Sequence, residues 1–438
     1  MKQRNIFLFW LPLFASWLLM TAEGPMITAT LNRLPEQIIM VAAAGIVISL
    51  AVALESPIIN LLATSTRLVN DRQSYLMVRR FTVHWMIGLT ILSFLLAFTP
   101  LFDLLVRTLM GVPAEIADWV QVGLKIMVFW SAAIAWRRFL QGVLIKHKRT
   151  SAVALGTVIR LVSGFITAVT LAVLTSLPGI VVGALVWMVG VVVEAIYVTW
   201  AVRPITGGTL AEQKPSSEPP LSYSALFWFH LPLASTAILT LLVQPLVIFA
   251  LARLANPNLS LAAWPIMFQI LLMARAGALA LPETIIALNE TSASTLALRR
   301  FMLTITGLSA VTMLVIVATP LLNGYLSGVQ NAPRAVADLV KGGVIWLVLL
   351  PAISVITFGL RGFLISAKNT GPVNVGMGIN LIVTVLVLLA GLVGQWPGIA
   401  TAALALMLAL VAETLYLVYN ARKSSAFVVE PTVASADS

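Results

Sequence analysis

Apolar residues run through this chain in long blocks, each broken by a short cluster of charged residues, proline or asparagine. Spanning roughly 30 Å of hydrocarbon takes about 20 helical residues. Twelve blocks meet that length, at 6–31, 38–66, 79–99, 118–145, 151–175, 178–202, 225–253, 260–288, 299–321, 336–366, 371–393 and 397–421. The first is too long for a signal-peptide core and no small-residue cleavage pattern closes it, so it is read as the first span. Between the sixth and seventh blocks lies RPITGGTLAEQKPSSEPPLS (203–222), whose Pro, Gly, Ser and charged content suits an exposed linker. The pattern predicts an all-α integral membrane protein: a six-helix bundle over 1–202, a cytoplasmic linker over 203–224, a second six-helix bundle over 225–423 and a disordered tail over 424–438.

The two halves say much the same thing. QGVLIKHKRT (141–150) and RGFLISAKNT (361–370) share glycine, leucine-isoleucine, lysine and threonine in register, 220 positions apart. At that offset Pro12 falls on Pro232, Pro25 on Pro245, Arg33 on Arg253, Arg79 and Arg80 on Arg299 and Arg300, Pro100 on Pro320 and Pro113 on Pro333. With the offset reduced to 219, Pro178 and Gly179 meet Pro397 and Gly398, and Glu194 and Tyr197 meet Glu413 and Tyr416. Apolar coincidences are cheap in such a composition; prolines and charges are not. Six spans per repeat is an even number, so both repeats share one topology and are related by a pseudo-twofold along the membrane normal, in a V-shaped arrangement of two parallel repeats.

Charge sets the expected orientation. Threading twelve spans puts sixteen Lys and Arg on one side and only Arg33, Arg107, Arg253 and Arg334 on the other. The positive-inside rule then places both termini and the linker in the cytoplasm, in a cell (inner) membrane. Basic loops facing anionic lipid account for most of the net charge of +11 without nucleic acid.

Seven basic residues remain within or near the apolar blocks: Lys125, Arg137, Arg138, Arg160, Arg275, Lys341 and Arg361. On the insertion scale each costs about 2.5–3.5 kcal/mol at mid-bilayer, so each needs a partner or water. The available carboxylates are Glu23, Glu55, Glu194, Glu283 and Glu413. Arg361 shares a helical face with Thr357 and Ser354, a polar stripe that either lines a substrate path or pairs with a glutamate. Lys125 and Lys341 are read as external headgroup contacts. Glu55 and Arg275 occupy equivalent positions and are expected to form a gate across the two bundles, or else Arg275 pairs with Glu283 in its own half. Glu23 sits in AEGP, where Gly24 and Pro25 loosen the helix, and is a candidate coupling site for a proton or sodium ion or a structural partner for an arginine.

Other chemistries lack residues. There is no cysteine. The three histidines, His84, His147 and His230, have no metal-site spacing, and no phosphate-binding loop or serine-nucleophile motif appears, so neither a metal, a cofactor nor an enzyme activity is expected. Trp10, Trp119, Trp200, Trp228 and Trp396 are read as interfacial anchors.

AIAWRRFLQGVLIKHKRTS (133–151) resembles the fourth-span segment of the progressive ankylosis protein family, and TFGLRGFLISAKNTGPV (357–373) resembles its tenth. The acid of AEGP departs from that family's wording. The resemblance implies membership of the exporter superfamily that also holds the multidrug and toxic compound extrusion (MATE) transporters and the lipid-linked oligosaccharide flippases. It implies alternating-access export of multivalent anions such as citrate, ATP or pyrophosphate by a monomer, with Arg138 and Arg361 as first-choice anion contacts and Arg137 and Arg275 behind them. Two alternatives stay open: a proton- or sodium-coupled multidrug extruder using Glu23 or Glu55, and a lipid-linked oligosaccharide flippase. A major-facilitator fold, suggested by NDRQSYLMVRR (70–80), lacks the leading glycine and the spacing.

Overall fold

The computed structural model describes residues 2–210, 221–289, 291–367 and 369–423. Lys368, most of the linker and the tail lie outside them. Ten helices are long and apolar enough to cross a membrane among the described residues: α1 (Gln3–Leu31), α2 (Gln37–Leu68), α3 (Arg72–Phe98), α5 (Thr150–Leu174), α6 (Gly179–Thr209), α7 (Tyr223–Leu251), α8 (Pro257–Ala274), α9 (Ala293–Ala318), α11 (Gly371–Val393) and α12 (Gly398–Lys423). Two bent pairs bring the spans to twelve: α4, made of Ala114–Ile126 and Trp130–Lys146 at 46°, and α10, made of Arg334–Trp346 and Leu350–Ser366 at 50°. A shorter apolar segment, Ala276–Leu288, continues α8 past a break at Arg275. The first linker residues differ from expectation, since Ile205–Thr209 extend α6 as a π-helical turn.

The repeat is visible in the details that begin and join the helices. Asp71 caps α3 by accepting from the Ser74 backbone N–H at 2.7 Å, and Thr291 caps α9 by accepting from that of Ser294 at 3.2 Å. Glu36 and Asn256, which precede α2 and α8, both adopt φ of 54°. Glycines mark the closest helix approaches. A Cβ on Gly123 would meet Val47 and Ile180, and one on Gly343 would meet their repeat mates Met267 and Ile399. The glycines of the duplicated decapeptide do the same: Gly142 lies on Leu62, Ser65 and Thr66 of α2, and Gly362 on Pro282 and Ile285 of the α8 continuation. The duplicated words therefore mark where the fourth span of each bundle presses on the second, a small-residue contact of the kind membrane helices use to bring backbones together.

The bundles meet where α2 packs on α8. A Cβ at Gly45 would stand 2.9 Å from Cγ of Pro265, which is its own repeat mate, so the pseudo-twofold passes through this contact. Buried Ala42, Ala43, Ala262 and Ala263 surround it. Near the chain ends rich in Lys and Arg, here the basic end, the two helices turn to their own bundles, Leu61–Leu68 toward α4 and Leu281–Leu288 toward α10. Opposite the basic end, backbone carbonyls are tied across the interface. Arg33 donates to Gly328 O at 3.2 Å and to Ala29 O at 2.6 Å. Its mate Arg253 donates to Thr108 O at 3.2 Å and also reaches Leu109 O and Met110 O. Each arginine thus serves the C-terminal carbonyls of a π-helix in the other bundle, Tyr325–Val329 and Asp103–Leu109. Arg253 fits because Gly111, at φ 67°, leaves room where a side chain would collide with its guanidinium.

Two crossings complete the assembly. Trp10 Nε1 of α1 donates to Gly277 O at the α8 break, 3.0 Å away. His230 of α7, the repeat mate of Trp10, lies 2.8 Å from Pro57 O at the matching break in α2 and 2.9 Å from Thr64 Oγ1. Trp10 is therefore no interfacial anchor; at 5% exposure it is an inter-bundle contact, stacked on Phe14.

Replacing both Arg33 and Arg253 by Ala is expected to loosen the end opposite the basic one. The chain has no native cysteine, so spin labels on cysteines introduced at Leu104 and Ser327 report it directly: their distance distribution should broaden toward longer values in the double variant. Gly142→Leu should destabilise the fold by more than the roughly 1–3 kcal/mol of ordinary overpacking, because the added atoms meet Leu62 O and Thr66 N rather than movable side chains; thermal unfolding in detergent measures it.

Candidate functional site

Each bundle closes on a carboxylate carried by its last helix. Glu194 of α6 is fully buried. It accepts from Arg137 Nη1 at 2.7 Å and from Gln141 Nε2 at 3.0 Å, both on α4. Arg160 of α5 brings its Nε to 3.8 Å of Glu194 and its Nη2 to 3.2 Å of Glu23 Oε2 on α1, so one guanidinium bridges two acids. In the second bundle the fully buried Glu413 of α12 accepts from Arg361 Nε of α10 at 2.8 Å and also from its Nη2. Asn380 Nδ2 of α11 completes that centre at 3.0 Å.

The two centres are the same site with its charges redistributed. In register, Gln141 answers to Arg361, Arg160 to Asn380, Arg137 to Thr357 and Arg138 to Phe358. The acid stays, and its cation moves from one helix position to another. Small residues allow the approach: a Cβ on Gly156 would lie 3.5 Å from Glu194 Cγ, and one on its mate Gly376 3.4 Å from Glu413 Cγ. Buried pairs of this type add little net stability because desolvation offsets attraction, whereas losing one partner strands the other charge.

The candidate residues divide accordingly. Arg137 and Arg361 take the paired alternative, each held by a glutamate. Arg361 is the more open of the two, with 14% of its side chain exposed against 4%. Glu23 is held by Arg160, with Oε1 enclosed and without a donor. Glu55 and Arg275 do not meet. Glu55 accepts from Trp130 Nε1 at 2.7 Å within the first bundle, and Arg275 lies 5.6 Å from the Phe358 ring within the second. The cause is the turning of α2 and α8 into their own bundles at these two positions. Glu283 is exposed and forms no ion pair with Arg275. Arg138 and Arg275 are half-buried, and the Nε of each is enclosed with no acceptor. Neither has a carboxylate in salt-bridge reach among the described residues. Lys341, half-buried, pairs with Asp338 at 3.2 Å, and the exposed Lys125 lies 5.5 Å from the Phe98 ring. Among the described residues no His, Asp and Glu cluster could hold a metal ion.

Sequence reasoning passed over Gln141, Asn380 and Trp130 as site residues. The first two carried a signal, since the 220-residue offset lays them on Arg361 and Arg160.

Two six-helix bundles about a pseudo-twofold are a fold shared with solved transporters of the MOP superfamily. The chain is similar to an inward-facing multidrug resistance MATE family transporter of that superfamily, at 13% identity and TM-score 0.71 over 93% of this chain and 95% of the other. It is similar to the lipid II flippase MurJ in an inward closed conformation, at 12% identity and TM-score 0.69 over 94% and 87%. A MOP superfamily transporter from Pyrococcus furiosus, described as having a binding pocket of reversed polarity, aligns at 15% identity and TM-score 0.64 over 97% and 96%. No protein-family model and no curated protein matches the chain. The comparisons thus carry the superfamily fold, and the progressive ankylosis resemblance stands on its residues alone.

Glu194→Ala and Glu413→Ala should each lower stability by about 3–5 kcal/mol, the cost of leaving a buried guanidinium unpaired. Adding Arg137→Ala to the first should restore part of the loss, a coupling that a double-mutant cycle of thermal unfolding in one detergent reads.

Proposed function

We propose that the protein is a secondary-active transporter that moves multivalent organic or phosphorylated anions, of the citrate, ATP or pyrophosphate type, out of the cell by alternating access. The observation that carries this reading is the pair Arg138 and Arg275. Every other deep arginine spends its charge on a glutamate, while these two, one in each bundle, keep half-buried guanidinium groups with unfilled donors. A buried charge left in that state is costly, and an anion arriving at these groups relieves it, with bidentate geometry that suits carboxylate and phosphate. Arg361, one face of which remains accessible beside Phe358, is the natural third contact. The wording shared with the progressive ankylosis family points the same way.

The remaining parts have places in such a cycle. Release of the Arg33 and Arg253 carbonyl contacts would open the end opposite the basic one, and re-forming them would close it. Glu23, sharing Arg160 with Glu194, is the coupling candidate: taking up a proton would free Arg160 from α1. The bias of Lys and Arg to one end supports termini in the cytoplasm and a place in the cell (inner) membrane, and the cycle needs no more than a monomer. Multidrug extrusion fits less well, because cationic drugs would face unpaired arginines. A second reading has its own support. An apolar cavity of about 510 Å³ between α1, α8 and α9 is lined by Trp10, Ala274 and Gly277, directly beside Arg275. It suits the tail of a lipid-linked, pyrophosphate-bearing substrate.

Purified protein in liposomes tests the choice, with citrate, ATP and a cationic dye loaded separately. Anion flux should be present in the wild type and fall at least tenfold in Arg138→Ala and in Arg275→Ala, with Glu283→Gln unchanged. Anion flux that is absent or survives both changes, with dye efflux lost in Glu23→Gln, sinks the anion reading in favour of the drug extruder. Movement of a fluorescent lipid-linked pyrophosphate without citrate or ATP flux selects the flippase.

A further inference from the structure

The outer face of the first bundle carries a groove that the transport reading does not use. It lies between α3, α4 and α6 and encloses about 700 Å³. Its floor is made of small residues, Ala132, Ala133 and Ala195, and its walls of Trp136 and Trp200. Trp136 is fixed in place by donating its Nε1 hydrogen to Thr199 Oγ1 at 2.8 Å. At the basic end stand two exposed arginines, Arg203 at the mouth and Arg79, whose guanidinium lies 6.0 Å from the Trp136 ring. Arg203 has no carboxylate partner among the described residues.

We propose that this groove is a binding site for one anionic membrane phospholipid, with the phosphate between Arg203 and Arg79 and one acyl chain laid along α6. Length supports that occupant. From Val192, at the inner limit of the groove, to Arg203 is eleven residues, or about 16 Å of helix, close to half of the roughly 30 Å hydrocarbon core and so to one leaflet. Charge supports it too, since the arginines stand only at the end where a headgroup would lie and the rest of the lining, apart from the Thr199 that holds Trp136, is apolar or aromatic. The second bundle supplies an internal contrast. It keeps the basic end as Arg299 and Arg422, but Ile353 stands where the first bundle has Ala133, Thr414 where it has Ala195 and Ile356 where it has Trp136. Positive charge alone is therefore common to both repeats, while the alanines at 133 and 195 and the tryptophan at 136 belong to the first. Neither Arg138 nor Arg275 lines the groove, so its occupant is a resident lipid and not the cargo.

Native mass spectrometry of the full chain, titrated with phosphatidylglycerol or with phosphatidylcholine of the same acyl chains, tests this. One phosphatidylglycerol should be retained at least fivefold better than phosphatidylcholine. Ala133→Ile, which installs the residue of the second repeat, and Arg203→Gln should each reduce that retention at least fivefold, while Arg422→Gln leaves it unchanged. Phosphatidylglycerol should also raise the melting temperature of the wild type and not that of Arg203→Gln. Should Ala133→Ile fail to fold, the exposed Arg203 still decides the matter. Equal retention of both lipids, retention unaffected by Arg203→Gln, or an equal loss in Arg422→Gln overturns the site.

Discussion

Glu194 and Glu413 are the groups on which the rest of the molecule depends. A carboxylate with no exposure, carried by the last helix of a membrane-embedded bundle, forces the helices around it to bring donors, because nothing else in that medium can satisfy it. In the first bundle α4 and α5 supply Arg137, Gln141 and Arg160; in the second, α10 and α11 supply Arg361 and Asn380. The fourth, fifth and sixth spans of each repeat are locked together by that need. What they leave over is Arg138 and Arg275, each with an enclosed Nε that has no acceptor.

The duplication explains how such a centre can diverge without failing. Arg137 and Arg160 hold the acid in one repeat and Arg361, at the Gln141 position, holds it in the other, so pairing around the acid survives while the positions that carry the charge change. The same freedom appears at Trp10 and His230, a tryptophan and a histidine that reach equivalent carbonyls at the breaks of α8 and α2. Geometry is conserved between the halves where backbones touch, at Gly142 and Gly362 or Gly123 and Gly343. Chemistry varies where side chains alone decide.

The contacts between bundles fall into two kinds with different tolerances. Around Gly45 and Pro265 small apolar residues pack closely, and such a contact pivots or holds but has little to gain by sliding. Arg33 and Arg253 instead hold carbonyls at π-helix ends, groups that water can serve equally well on the exposed surface. A contact whose partners are satisfied both made and broken costs little to release.

Much of the architecture could be read from the chain. Twelve spans, most of their bounds to within a few residues though α3 and α9 begin seven and six residues earlier and α6 ends seven later, the parallel repeat and the shared topology all follow from block length, proline and charge spacing and parity, because a bilayer imposes one length scale and one solvent on every helix. The mid-span bends of α4 and α10, the break at Arg275 and the π-helical turns left no mark in the hydropathy pattern, since a bent apolar helix is as apolar as a straight one. Pairing was the least legible. Sequence placed Arg137, Arg361, Glu194 and Glu413 at depth, but whether an arginine meets a glutamate, a ring or open space depends on which faces α4, α5, α6 and α10 to α12 turn toward one another. Likewise Glu55 and Arg275 were visibly equivalent by position, and only the departure of α2 and α8 into separate bundles decided that equivalent residues would not be neighbours. The sequence by itself determined what had to be buried and how often; the tertiary structure chose the partners, because rotation of a helix about its own axis moves a charge from one neighbour to another without altering a single local preference.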